Sequence, residues 1–307
     1  MRQHERWETE VLRDPAIRCN QNQCLMAMFG ATIVVLCVCV GVTKHLVTIY
    51  DENFDHMGIR TFCMFTVNSN ILAAIAMFLA LPYTIDGLRT GNYHLPNWIV
   101  DLMLDAVTAV ALTFLISLFV LSPAKGFVLI FSGSRFFLHG VCPVLAIITF
   151  CFLISDHRIS LQESLKALVP VLIYAVVYLT MVVVIGEDRG GWNDFYGFAT
   201  RLPLWIPIVL IMPLTFGITS ALRALHNGSY DRRKRKEARL YCEAYQSADL
   251  RETVEHIARS RRRALRMADI VIPVRVIGHM VDSGDGDMSV AEGCRRYLDA
   301  YLGDDKD

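Results

Sequence analysis

Thr66, Ser69 and Asn70 stand at i, i+3 and i+4 within the stretch FTVNSN. On a helix that spacing makes one stripe, which Cys63 and Ala73 extend. Asn68 falls on the far side, because two residues turn a helix by about 200°. Two hydroxyls and an amide on one face are parts of an acyl-transfer site that lacks a base. Histidine is the usual base, with a free pKa near 6.5. His139, in FFLHGVCPVLAIITF, is the candidate. In this reading Thr66 attacks, His139 takes the hydroxyl proton, and Ser69 or Asn70 donates to the developing oxyanion. In the competing reading the same groups tie helices together, each bond contributing under about 2 kcal/mol. Thr66 can also bond its own helix at the Phe62 carbonyl.

The surroundings are apolar. Of 307 residues, 54% are hydrophobic, and mean hydropathy is +0.39, too apolar for an ordinary soluble domain. Six runs reach the roughly 20 residues that a spanning helix requires: Cys24 to Thr43, Thr61 to Pro82, Ala106 to Ala124, Phe136 to Ser155, Ala167 to Gly186 and Leu202 to Leu222. Polar, charged residues precede the first run and no small-residue cleavage site ends it, so it is read as a retained span. The expected fold is all-α, a polytopic membrane protein with six transmembrane helices and a cytoplasmic helical C-terminal tail. Residues 1–23 form an N-terminal tail, 24–225 the membrane domain, and 226–307 a basic, mostly helical tail.

Charge sets the expected topology. Arg2, Arg6, Arg13 and Arg18 precede the first run, and DRRKRKEAR follows the last. Basic residues beside span ends stay cytoplasmic, so both termini are expected there, in the cell membrane. Spans two and four then start at the outer face, which puts Thr66 and His139 at one depth. An amide in hydrocarbon without partners costs several kcal/mol, so Asn70 is expected to face other helices or a wet cavity.

Other polar residues offer fewer readings. Asp101 and Asp105 lie at i, i+4 at the inner entrance to span three, where a carboxylate is a functional candidate or a solvated or helix-capping group. Lys44 and His45 close span one. Tyr178, one turn after Tyr174 on span five, faces a cavity or packs. Arg201 precedes LPLWIP and either greets an anionic group or anchors the interface with Trp192 and Trp205. The loop GEDRGGWNDFYGFATR has the composition of a folded lid. Nine cysteines show no CxxC pair and no metal spacing, so no metal and no cofactor are expected.

In the tail, Arg259, Arg261, Arg262, Arg263 and Arg266 make a second basic cluster. Such clusters beside a membrane attract anionic lipid at about 1 kcal/mol per charge. Nucleic acid is not an expected partner, since the first cluster is tied to a span end. DSGDGD fails the calcium-loop pattern, and Ser289 to Glu292 reads as a capping box.

FTVNSNIL in span two resembles bacterial six-span proteins that carry an FT(I/V)xSN signature and open span four with a His followed by a Pro, here His139 and Pro143. These look like relatives of the androgen-induced-gene and androgen-dependent TFPI-regulating family. The resemblance covers about residues 25 to 225; residues 230–307 have no counterpart in it. It implies a multi-pass threonine hydrolase acting on fatty acid esters of hydroxy fatty acids, with Thr66 as nucleophile and His139 as base. The leading expectation is a membrane-embedded threonine-type hydrolase or acyl-transfer enzyme, its substrate a membrane lipid ester near the outer leaflet. The alternative is a non-enzymatic integral membrane protein or small-molecule transporter, disfavoured because no internal repeat and no paired Gly/Pro breaks are visible.

Overall fold

The computed structural model describes residues 17–48, 58–90, 94–154, 157–196 and 205–244. They form α1 (Ile17–Thr48), α2 (Phe65–Thr90), α3 (Asn97–Lys125), α4 (Gly133–Leu153), α5 (Leu161–Ile185) and α6 (Trp205–Ala244), with no strand among the described residues. Each contains a segment long and apolar enough to cross a membrane. Gln23–Asn227 is one compact unit, and the bundle described below is that unit. From Gly228 to Ala244, α6 runs on into the second unit. Arg201, the Arg259–Arg266 cluster, DSGDGD and the Ser289 capping box lie outside the described residues.

α3 is the most buried span and packs against α2, α4 and α5. Its middle, from Ala106 to Leu112, is buried on every side and almost wholly apolar, and Ala106, Ala109 and Ala111 are small enough to let neighbours come close. α5 is the least buried span. Outward positions across the bundle are large and apolar, among them Phe29, Phe78, Phe119, Val184 and Leu210. Such a surface suits lipid and would be unusual in water.

Two boundaries differ from those expected, and both bear on the chemistry. The second span does not begin at Thr61. Gly58–Cys63 forms a tight 3-10 turn, and α2 starts at Phe65. Thr66 therefore lies in the first turn of its helix. The Asn68 amide points away from the Thr66 stripe and donates to the Phe62 carbonyl at 2.8 Å, clamping turn to helix. The third span starts at Asn97, ahead of Ala106, with Pro96 before it and no side-chain cap. Asp101 and Asp105 thus sit inside α3 and do not cap it. Their charged or titratable neighbours are Glu163, Lys166 and His157 for Asp101, and Asp101 and Lys166 for Asp105. An uncharged-run criterion cuts a helix at its first carboxylate even where the helix runs on past it.

The end of the bundle holding Asp101 is closed by side chains of α6. Nδ1 of His226 lies 3.0 Å from the Phe150 carbonyl, and Nε2 lies 3.1 Å from the His157 carbonyl. Asn227 mimics a strand neighbour: its side chain accepts from the Ile159 amide at 2.8 Å and donates to the Ile159 carbonyl at 2.9 Å. Ser160 and Glu163 then form a reciprocal capping box that opens α5. Asn227→Ala removes two hydrogen bonds to one turn, each contributing about 1 kcal/mol. We expect the detergent-solubilised variant to melt several degrees below wild type. An unchanged melting temperature would show that the α4–α5 turn is held by other contacts.

Candidate functional site

The site is assembled at the opposite end of the bundle, beginning with the loop after α5. Gly190 adopts φ +84°, a backbone that L side chains rarely take. Gly191 donates to the Gly186 carbonyl at 2.8 Å, and Trp192 donates to the Met181 carbonyl at 3.1 Å. A Cβ at Gly191 would stand 2.2 Å from the Met181 carbonyl oxygen, so only glycine fits. The chain is thereby folded back over the end of α5. Tyr178 receives it: its hydroxyl donates to the Asp194 carboxylate at 2.6 Å and accepts from the Tyr196 amide at 3.3 Å. The Tyr178 ring packs on Phe195 and Tyr196, with centroids 5.2 and 5.3 Å away.

Tyr196 so placed reaches the start of α2. The first N–H groups of any helix lack partners within it. Here the Phe65 N–H donates to the Tyr196 oxygen at 3.0 Å, and Thr66 lies beside the same phenol. A tyrosine oxygen thus does the work of an N-cap. Desolvation pushes the Tyr196 phenol up, so it stays neutral at physiological pH. Tyr174 supports it from α5, donating to the Cys63 carbonyl at 2.7 Å, sharing a hydrogen bond with Tyr196, and packing its ring 4.9 Å from Phe65.

Below Thr66 the stripe is buried. The Ser69 hydroxyl lies 3.1 Å from the Thr66 carbonyl and 3.2 Å from the Thr113 hydroxyl of α3. Asn70 uses both amide hydrogens: Nδ2 donates to the Thr66 carbonyl at 2.7 Å and to the Leu138 carbonyl of α4 at 2.9 Å. To donate to an oxyanion it would have to give up one of these bonds. Its Oδ1 is buried and has no hydrogen-bond partner among the described residues.

His139 follows Leu138 directly. Pro143 has no N–H to offer the carbonyl four residues back, which is that of His139, and the helix widens to a π turn over Phe137–Val141. The half-buried ring meets Phe131 edge-on, with centroids 6.4 Å apart, and faces the Ile130 carbonyl. Its Nδ1 is buried and unpartnered among the described residues. A neutral imidazole carries one hydrogen. Where that hydrogen sits on Nε2, Nδ1 keeps its lone pair.

The structure brings Thr66, Ser69, Asn70 and Tyr178 to the same end as His139. Among the described residues no hydrogen bond joins the Thr66 hydroxyl to the His139 ring; the threonine lies beside Tyr196 and the histidine faces Ile130. No three metal-ligating side chains converge among them. Tyr196, Asp194 and Thr113 did not stand out in the sequence. The one signal for the first two was the density of aromatics in GGWNDFYGF, which follows a pair of tyrosines one turn apart.

The comparisons add no relative: no family model, no curated protein and no solved structure matches the chain.

Tyr196→Phe keeps the ring and removes the capping oxygen, a loss of about 1 kcal/mol. Gly191→Ala forces the backbone apart at two carbonyls and moves the whole loop. Thermal melts in one detergent should rank wild type above Tyr196→Phe, and Tyr196→Phe above Gly191→Ala. The reverse order would show that the loop is not what carries Tyr196 to α2.

Proposed function

We propose that this chain is a membrane-embedded hydrolase or acyl-transfer enzyme acting on a lipid ester near the outer leaflet, with Thr66 as nucleophile and His139 as base. The observation that carries the reading is the His139 Nδ1, a buried ring nitrogen with no partner among the described residues, in the residue after the Leu138 whose carbonyl Asn70 ties to Thr66. An unpartnered ring nitrogen at the same end of the bundle as a hydroxyl stripe suits general-base catalysis. The likeness of FTVNSN and the His139–Pro143 pair to six-span threonine hydrolases points the same way.

In this mechanism the Thr66 hydroxyl leaves Tyr196 as substrate enters. Its oxygen attacks the ester carbonyl carbon while its proton passes to His139. The carbonyl oxygen becomes the oxyanion and takes the place of the phenol oxygen at the Phe65 and Thr66 N–H groups, where a helix N-terminus favours negative charge. Collapse breaks the bond to the alcohol, which leaves with the proton from His139. Water, or a second alcohol, then attacks the acyl-threonine by the same route. Ser69 and Asn70 hold the register of α2 against α3 and α4. Tyr178 positions the loop.

The basic residues flanking spans one and six support a reading with both termini in the cytoplasm of a cell-membrane protein, and the charge of the tail clusters suits anionic lipid. The second reading, a non-enzymatic bundle, draws on the Phe65–Tyr196 bond and the Ser69–Thr113 contact, which read equally as ties within the bundle.

An assay on purified full-length protein with long-chain esters separates the two. Thr66→Ala and His139→Ala should each lower kcat by about 100-fold or more, and a fluorophosphonate probe should label wild type but not Thr66→Ala. Full activity in both variants would remove the proposed roles.

A further inference from the structure

We propose that His226 is a buried proton-binding site, whose imidazolium form clasps α6 to the end of α4 and to the α4–α5 turn. The clasp lies at the end of the bundle away from Thr66. It stands whether or not Thr66 and His139 act on an ester.

Both ring nitrogens of His226 meet backbone carbonyls. Nδ1 lies 3.0 Å from the Phe150 oxygen, and Nε2 lies 3.1 Å from the His157 oxygen. A carbonyl oxygen only accepts, so each contact needs a hydrogen from the ring. A neutral imidazole has one. In either tautomer it sets a lone pair against the other carbonyl. The imidazolium has two, and it alone satisfies both contacts. No choice of tautomer enters, because neither partner can donate.

The surroundings suit a cation. Phe150 lies in the last turn of α4, where carbonyls have no partner within the helix and the helix end favours positive charge. The Phe150 ring lies against the imidazole, with centroids 4.6 Å apart and planes 32° apart, and an aromatic face attracts a cation. His226 and Phe150 are both fully buried. Bulk water therefore cannot supply the hydrogen bond that a lost proton takes away.

Other titratable or charged groups stand on the elements around the ring. Cys151 of α4 lies 3.9 Å from the Leu222 carbonyl, one turn before His226. The turn carries His157 and Arg158, and α6 carries Arg223, Tyr230 and Asp231. Asp101 of α3 neighbours His157, Glu163 and Lys166. Asp156 precedes His157 in the sequence and lies outside the described residues. His157 is the rival imidazole, and its ring nitrogens meet no hydrogen-bond partner among the described residues.

Deprotonation removes one of the two bonds and leaves a lone pair facing a carbonyl in the core. Asn227 still holds Ile159, so the turn loosens without coming away. The clasp is complete at acid pH and weakens as pH rises. In the unfolded chain an imidazole is mostly neutral above about pH 6.5. A folded state that keeps the proton there becomes easier to unfold, by up to about tenfold per pH unit.

Two measurements on the full-length, detergent-solubilised protein test this. In wild type carrying 15N-labelled histidine, His226 is assigned through its own backbone. At about pH 7, where a free imidazole is mostly neutral, both of its ring nitrogens should carry hydrogen. In thermal melts, the margin of wild type over His226→Gln should narrow as pH rises from about 6 to about 8. The same comparison in a His157→Gln background, which keeps the residue-157 carbonyl, should narrow equally. Three results would overturn the proposal: a lone-pair nitrogen on His226 at about pH 7; a margin constant across the range; or a narrowing that disappears in the His157→Gln background. Should His226→Gln fail to fold, the wild-type nitrogen spectrum decides alone.

Discussion

A primary amide buried among apolar helices has to find its hydrogen-bond partners within the protein, and Asn70 places both of its hydrogens at one junction. One goes to the Thr66 carbonyl and the other to the Leu138 carbonyl. The first keeps the amide pinned to its own helix, and the second fixes how α2 sits against α4. Ser69, one residue before it, fixes α2 against α3 through Thr113. Hydrophobic contacts alone would let apolar helices slide or rotate at small cost, since lipid is as apolar as leucine. Two adjacent polar residues facing two different helices remove that freedom. The depth of Thr66, and its distance along the bundle from the π turn carrying His139, follow from this pair.

The same constraint explains the loop. Beginning α2 at Phe65 leaves its first N–H groups without helical partners. Tyr196 supplies an oxygen from the far side of α5, and the tight glycines before it serve to deliver that oxygen. Gly191 is compelled by the Met181 carbonyl, and Tyr178 is buried because the loop rests on it. What reads in composition as a lid is, at its base, a cap for a helix far away in sequence.

This separates what the sequence discloses from what it does not. Six apolar runs were legible because a spanning helix must satisfy its own backbone, and a spanning run is therefore long and uninterrupted. The division of FTVNSN was legible too, since rotation per residue is fixed: Ser69 and Asn70 turn inward and Asn68 outward to the Phe62 carbonyl. The ends of α2 and α3 were not, because a 3-10 turn and a lysine facing a carboxylate leave no mark on hydropathy. Nor were Tyr196, Thr113 and His226. Each owes its place to a partner on another helix, and no spacing along one chain segment encodes which helices will touch. His139 was visible as a residue type, while the burial of its Nδ1 without a partner needed the structure.

Thr66 and His139 are each occupied by a different neighbour, and this bears on what kind of chemistry the fold permits. A nucleophile already hydrogen-bonded to its base would stand ready for any carbonyl, water-borne or lipid. Here the first N–H of the threonine's helix is held by a phenol kept neutral by its own desolvation. In the proposed mechanism that phenol occupies the position the developing oxyanion takes. Replacing it by a carbonyl oxygen exchanges one acceptor for another at the same N–H groups, so the ground state gains little. The exchange gains most when charge builds on the incoming oxygen, since a charged acceptor binds roughly twice as strongly as a neutral one. A site that opens only to a group able to take negative charge discriminates at the transition state and not at the ground state. The tyrosine cap would then be part of the chemistry, beyond its role as an anchor for the loop.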